Sequence, residues 1–238
     1  MRILGVFAHP DDESIVIGGT LARAAHEGHD TYLICATRGE SSTAFDDEYV
    51  SFEDLAEVRE KEFLNASRIL DVKETYFLDY IDGSLSEVNK NEAIVKLISL
   101  IDKIKPDVIL TFEPNGISYH KDHMTVHTWT MEAIKELGTD SCPERIYWAT
   151  VSKNMKSYKN RQIIGHDYDT ITTKVNIDDY RSKKSEAIKA HRTQYPSFEK
   201  NRLIVNGELT PHFQHEYFIR VEVNGEPIKN EELESFIL

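Results

Sequence analysis

Two short stretches concentrate side chains that bind cations and move protons. The first, Ala8-His9-Pro10-Asp11-Asp12-Glu13-Ser14, carries one imidazole and three carboxylates. The second, His120-Lys121-Asp122-His123, adds two imidazoles and a carboxylate. His9 and Asp12 are three positions apart, and so are His120 and His123. In a tight turn or a first helical turn that spacing brings both members to one side. Catalytic zinc usually takes three ligands from His, Asp and Glu and keeps a position for water. The reading taken here is His9, Asp12 and His123 as ligands to one divalent ion. Asp11 is then a general base, and His120 polarises a carbonyl or protonates a departing amine. Asp122 accepts a hydrogen bond that orients His120. The residue types equally permit exchanging Asp11 with Asp12, or His120 with His123, and iron, cobalt or manganese in place of zinc.

The elements that must position these residues are legible from apolar patterning. Arg2 to Ala8 is apolar on both sides, as a central parallel strand is. A helical pattern follows from about Ser14 and stops at Gly28. Gly18-Gly19 inside it costs roughly 1 kcal/mol per glycine, which suggests close packing of that turn against neighbouring backbone. Further strands are read at Asp30 to Ala36, Glu74 to Leu78, Val108 to Phe112 and Arg145 to Val151. Helices are read at about Phe52 to Leu70, Asn89 to Lys103 and Asp122 to Glu136. The stretch Ser41 to Tyr49 reads as a mobile loop. Pro114-Asn115-Gly116 is a turn that delivers the chain to His120. Alternating strands and helices predict an α/β, Rossmann-like three-layer α/β/α fold with a mostly parallel sheet. Beyond it, Ile171 to Ile177 and Tyr217 to Val223 alternate as strands. Asp179 to His191 reads as a helix capped by Asp178. The expected organisation is a single domain over 1–238, with a core at 1–152 and a C-terminal elaboration at 153–238.

An H-x-x-H near a helix start is commonly a surface feature when it stands alone. Several polar residues directly after a buried strand are harder to explain by packing. Both stretches follow predicted parallel strands, and ligands in open α/β folds bind beyond the carboxyl ends of such strands. No phosphate loop and no G-x-G-x-x-G follows the first strand, which argues against a dinucleotide.

Composition narrows the class. The 238 residues carry a net charge of −13, with 40% hydrophobic and 29% charged residues. An acidic chain is a poor partner for nucleic acid. No run approaches the roughly 18 apolar residues of a membrane span, and the first residues read as a strand rather than a signal peptide. Two distant cysteines, Cys35 and Cys142, fit a reducing, cytoplasmic setting without a thiolate metal site. Arg181, Lys183, Lys184, Lys189 and Arg192 make a basic helix, read as a solvated face or as an anion-attracting rim. Tyr195-Pro196 and Phe213 to Phe218 are read as substrate wall or ordinary core.

Ala8-His9-Pro10-Asp11-Asp12-Glu13 together with His120-x-Asp122-His123 resembles the PIG-L (LmbE-like) family of zinc-dependent de-N-acetylases. Thr37-Arg38-Gly39-Glu40, Arg59-Glu60-Lys61-Glu62, Asp82-Gly83, Ala190-His191-Arg192-Thr193-Gln194 and Glu216-Tyr217-Phe218 extend the resemblance over most of the chain. Lys121 stands where the family often has proline. The resemblance implies His9, Asp12 and His123 as zinc ligands, Asp11 as base and His120 as transition-state stabiliser. It implies Arg59 as a substrate contact, with Tyr119 a further candidate near the substrate; His191 is read either as reaching the substrate or as a structural hydrogen-bonding residue. The implied reaction removes an N-acetyl group from an N-acetylglucosamine-containing small molecule. The alternatives are an amidase of thiol conjugates of amino sugars, or a catalytically silent sugar- or metal-binding protein. Family members often form trimers or hexamers, which implies a homo-oligomer.

Overall fold

A computed structural model describes residues 1–43, 51, 53–138, 141–153, 165–200, 204–205, 208–209 and 214–228. Most of the stretch 41–49, the start of the second helix at Phe52, and Phe213 lie outside these residues. The chain runs β1 (Arg2–Phe7), α1 (Asp12–His26), β2 (Asp30–Thr37), α2 (Leu55–Ile69), β3 (Glu74–Tyr80), α3 (Lys90–Ile104), β4 (Val108–Phe112), α4 (Lys121–Glu136) and β5 (Arg145–Thr150). It continues through β6 (Thr173–Asn176), α5 (Arg181–Ala190), α6 (Tyr195–Lys200), the short strands β7 (Ile204–Val205) and β8 (Glu208–Leu209), and β9 (His215–Val221).

Seven strands form one sheet in the order β3-β2-β1-β4-β5-β9-β6. β1 to β5 are parallel, whereas β9 pairs antiparallel with both β5 and β6. The mostly parallel α/β sheet expected from the apolar runs is therefore present. α1 and α2 pack with α5, while α3 packs with α4, as right-handed crossovers running both ways from β1 require. β1 is sealed on both faces, with Ile3, Leu4 and Val6 at zero exposure.

The connection from β3 crosses back over β1 to β4, so strand order reverses between β1 and β4. Such a switch point opens a crevice at the carboxyl ends of the two strands. Val6 of β1 sits in register with Thr111 of β4, and the rings of Phe7 and Phe112 meet edge-on at 4.9 Å. The residues that follow them, the two polar stretches, are thereby delivered side by side.

Two expectations are corrected. A 3-10 turn over Asp178–Tyr180 precedes α5, so Tyr180 rather than Asp178 caps that helix. The basic helix is not one solvated face either. Lys184 is fully buried and donates to Glu216 Oε1 at 2.5 Å and to the Ile15 carbonyl at 2.7 Å. Glu216 in turn accepts from the amides of Gly19 at 2.9 Å and Thr20 at 2.7 Å. A buried ion pair thus docks on the middle of α1, with its charges satisfied by each other and by helix backbone.

The two helix glycines differ. A Cβ on Gly19 would lie 2.5 Å from Ile177 Cδ1, whereas one on Gly18 would meet Lys184 Cγ at an ordinary 3.4 Å. The close neighbour of Gly19 is thus a side chain rather than backbone. Gly19→Ala is expected to cost about 1–3 kcal/mol by overpacking. Gly18→Ala is expected to be neutral or to gain up to about 1 kcal/mol of helix propensity. Thermal melts of the two variants check this, and equal shifts would remove the packing account of Gly19.

Candidate functional site

α1 begins inside the acidic stretch, so Asp12 and Glu13 occupy its first turn, where the helix dipole favours negative charge. The turn is closed by Asp12 Oδ2, which accepts the His9 amide at 2.8 Å. Across the crevice, His120 caps α4 by accepting the Asp122 amide at Nδ1, 3.3 Å away. Gly116, at φ +60°, brings its loop hard against His123, whose Cβ would lie 2.6 Å from any Cβ placed there.

His9, Asp12 and His123 converge. His123 Nε2 lies 3.3 Å from His9 Nδ1 and 3.3 Å from Asp12 Oδ1, and His9 Nδ1 lies 3.5 Å from Asp12 Oδ2. The other ring nitrogens have partners of their own. His9 Nε2 donates to Asp82 Oδ1 at 2.9 Å and Asp122 Oδ2 at 3.2 Å. His123 Nδ1 donates to the Gly116 carbonyl at 3.0 Å. With both imidazoles neutral, as a bound cation requires, these bonds fix the tautomers and leave two nitrogen lone pairs and a carboxylate facing one another. Facing acceptors repel unless positive charge lies between them, so the donor set fits a cation. Carboxylate-backed histidine is also the usual support of a metal ligand. His9, His120 and His123 form an overlapping group whose candidate donor atoms lie within 4.8 Å of one another.

The electrostatics report the negative charge gathered around His9. Burial disfavours a charged His9, yet hydrogen bonds to Asp12, Asp122 and Asp82 outweigh it and hold its imidazole well above the ordinary value. Burial likewise opposes ionisation of Asp12, but His123 and His9 keep its carboxyl far below the usual range. Burial lowers His123 to about 4. His120 is also lowered, by burial and then by the charge of His9, which suits a neutral donor. Asp11 is pushed up to about 6 by burial, against the pull of the Arg59 guanidinium.

Asp11 stands apart from the cluster, with a side chain 16% exposed and Oδ2 at 3.5 Å from Arg59 Nη2. Its backbone holds φ 124°, a conformation that L residues rarely adopt. Tyr119, also at positive φ, is 52% exposed beside His120.

Two roles differ from the sequence reading, those of Asp122 and Arg59. The Asp122 carboxylate does not orient His120. It accepts from His9 Nε2 and from the amides of Gly83 at 2.7 Å and Leu85 at 3.3 Å. Arg59 is 3% exposed and donates to the carbonyls of Gly39 at 2.7 Å and Pro10 at 2.5 Å. It fastens the loops after β1 and β2 rather than reaching for a substrate. His191 has zero exposure and bonds Glu13 at 2.7 Å, which is the structural one of its two readings. Tyr195 is half-buried and Phe218 belongs to the core. The sequence reading gave Asp82 no role. Its only signal was the Asp82-Gly83 turn after β3, and the partner it meets, His9, lies on a different strand's loop.

A mostly parallel α/β sheet with a cation-fitting His/Asp cluster at its switch point, and a separate strained aspartate beside it, defines the class. Residues 4–134 match the family described as "PIG-L: GlcNAc-PI de-N-acetylase". That is more than half of the chain, and the chain belongs to this family. It is 28% identical over 228 residues to the 1D-myo-inositol 2-acetamido-2-deoxy-alpha-D-glucopyranoside deacetylase of Mycobacteroides abscessus, covering 81% of each chain. It is 27% identical over 195 residues to a probable N-acetyl-alpha-D-glucosaminyl L-malate deacetylase 2 of Bacillus anthracis, covering 82% of this chain and 81% of that one. The fold is that of the N,N'-diacetylchitobiose deacetylase from Pyrococcus horikoshii, with TM-score 0.71, 24% identity, and 93% and 84% of the two chains covered. Among the described residues no helix is long and apolar enough to cross a membrane.

Proposed function

We propose that the protein is a metal-dependent N-deacetylase that hydrolyses the acetamido group of an N-acetylglucosamine-containing small molecule. The observation that carries the reading is Asp11: a carboxylate raised toward neutrality, on the same loop as His9 and Asp12 but not part of their cluster. A site that only bound a cation or a sugar would not need it. The relatives support the substrate class, since a 2-acetamido sugar is the part common to the names of all three.

His9, Asp12 and His123 would hold the ion, and zinc suits a set of two imidazoles and one carboxylate. A divalent ion held there supplies Lewis-acid polarisation and makes a water acidic near neutral pH. The chain does the rest. Asp11 takes a proton from the water that attacks the acetyl carbon. His120, neutral and with Nδ1 occupied by the Asp122 amide, presents Nε2–H to the acetyl oxygen as negative charge grows on it. Asp11 then passes its proton to the amide nitrogen as the C–N bond breaks, and acetate and the free amine leave. Arg59 keeps the Asp11 loop in place, while Asp82 and Asp122 keep His9 in one tautomer.

The test is acetate release from a panel of N-acetylglucosaminides, with metal content measured on the same preparation. About one ion per chain and acetate release that a chelator abolishes and added zinc restores is the expected result. A fully loaded protein that releases no acetate from any member would end the reading.

A further inference from the structure

The strained backbone of Asp11 needs restraint. A residue with a side chain held in such a region costs roughly 1–3 kcal/mol and persists only where its surroundings over-determine it. One restraint is Arg59 on the Pro10 carbonyl. The Asp11 carbonyl accepts the amides of Ser14 at 3.1 Å and Ile15 at 3.0 Å, and the Asp11 amide is held by Glu13, whose Oε2 accepts it at 3.0 Å. Glu13 has zero exposure, and its Oε1 accepts from Ser14 Oγ at 2.5 Å and from His191 Nε2 at 2.7 Å.

His191 arrives at the end of α5, well outside residues 4–134. The same short segment makes two further attachments. Thr193 donates its amide at 2.8 Å and its hydroxyl at 2.6 Å to Glu62, which lies one helical turn beyond Arg59 on α2. Gln194 Oε1 accepts from Ser42 Oγ at 3.0 Å, in the loop after β2. Three side chains of one segment therefore grip three elements around the crevice. His191 is also an odd choice for stability alone, because its Nδ1 is buried without a partner among the described residues. An unpaired buried polar atom costs roughly 1–3 kcal/mol, and an apolar side chain of similar volume would avoid that cost.

We propose that His191 and Glu13 are positioning residues for Asp11: His191 fixes the Glu13 carboxylate, and Glu13 fixes the backbone that aims the base. Neither touches substrate. The role of Asp11 rests on the deacetylase reading, whereas the backbone restraint does not. His191→Ala removes the donor to Glu13, while His191→Gln keeps an N–H that can reach it.

Two readouts are needed. The first is the kcat and KM of acetate release from the best N-acetylglucosaminide. His191→Ala is expected to lower kcat on the order of 10²-fold, since small misplacements of a reacting group cost about that much, with KM and metal content unchanged. His191→Gln should recover most of the loss. The second is hydrogen exchange of the Asp11 amide by NMR, which needs no turnover. Its protection should fall in His191→Ala and return in His191→Gln. Unchanged kcat and unchanged Asp11 protection in His191→Ala would overturn the proposal. A rise in KM alone would make His191 a substrate contact and overturn it as well. If neither variant folds, His191 is structural and the proposal falls. A wild-type enzyme that releases no acetate ends the deacetylase reading instead, and the exchange measurement still decides the restraint.

Discussion

Asp11→Asn is expected to leave the metal in place and to cut acetate release by roughly 10²–10⁴-fold, the usual contribution of a general base. The substitution is nearly isosteric; it removes the ability to hold a proton from water and the charge that faces Arg59. It keeps the amide that bonds Glu13, and asparagine tolerates positive φ better than most residues. Loss of rate therefore reports chemistry rather than a disordered loop. The Asp11 side chain lies beside Arg59, with Oδ2 3.5 Å from Nη2, and among the described residues it makes no hydrogen bond to His9, Asp12 or His123, so metal content should equal that of the wild type. The checks are steady-state acetate release and metal analysis on the same protein. A rate within a few-fold of wild type would pass the base to another group, with His120 the next candidate at the crevice. Loss of the metal together with the rate would make Asp11 a ligand and exchange its role with that of Asp12, an alternative that the sequence left open.

That this alternative was open shows where sequence reading stops. The two polar stretches were legible because each follows an apolar strand, and local order is what apolar runs report. Their meeting was legible as well, since β-α alternation implies parallel strands and a switch point. The partners of each side chain were not. His9 and Asp122 are 113 positions apart, and Glu13 and His191 are 178 apart. No spacing rule links such residues. Asp122 illustrates the error: proximity in sequence suggested His120, but the start of α4 turns its carboxylate inward to His9 and to the amides after β3. Arg59 was read as a substrate contact on the resemblance alone, whereas it is buried and bonded to the loops after β1 and β2, and the two readings of His191 could be separated only by its burial. The buried Lys184–Glu216 pair was hidden for the same reason, in that a lysine within a basic run looks solvated until the strand carrying its carboxylate is placed. The antiparallel direction of β9 was hidden too, because alternation gives a strand's faces and not its sense.

The metal set itself admits a decisive comparison. At Nδ1 of His9, together with His123, the choice lies between Asp12 and His120 as the third ligand; a separate group, His9, Asp82 and Asp122, meets His9 at Nε2. The geometry favours Asp12. Its carboxylate lies 3.3 and 3.5 Å from the two free nitrogens, it is buried, and its negative charge offsets that of a divalent ion. His120 is exposed, and its Nδ1 is occupied by the Asp122 amide. Asp12→Ala is therefore expected to yield protein that is metal-free after dialysis and inactive. His120→Ala should keep about one ion per chain and lose roughly 10²–10³-fold in kcat, as removal of an oxyanion donor does. Asp122→Asn should fall between them, with metal affinity weakened about 10–100-fold through the lost support of His9. Metal analysis of the three variants reads this order directly. Because Asp12 also closes the turn at the His9 amide, Asp12→Asn is the necessary companion: it keeps an acceptor for that amide but gives up the charge. If Asp12→Asn and Asp12→Ala both retain the ion while His120→Ala loses it, the site is a three-histidine site. Asp12 would then be the residue that holds His9, and the donor to the acetyl oxygen would have to be sought elsewhere around the crevice.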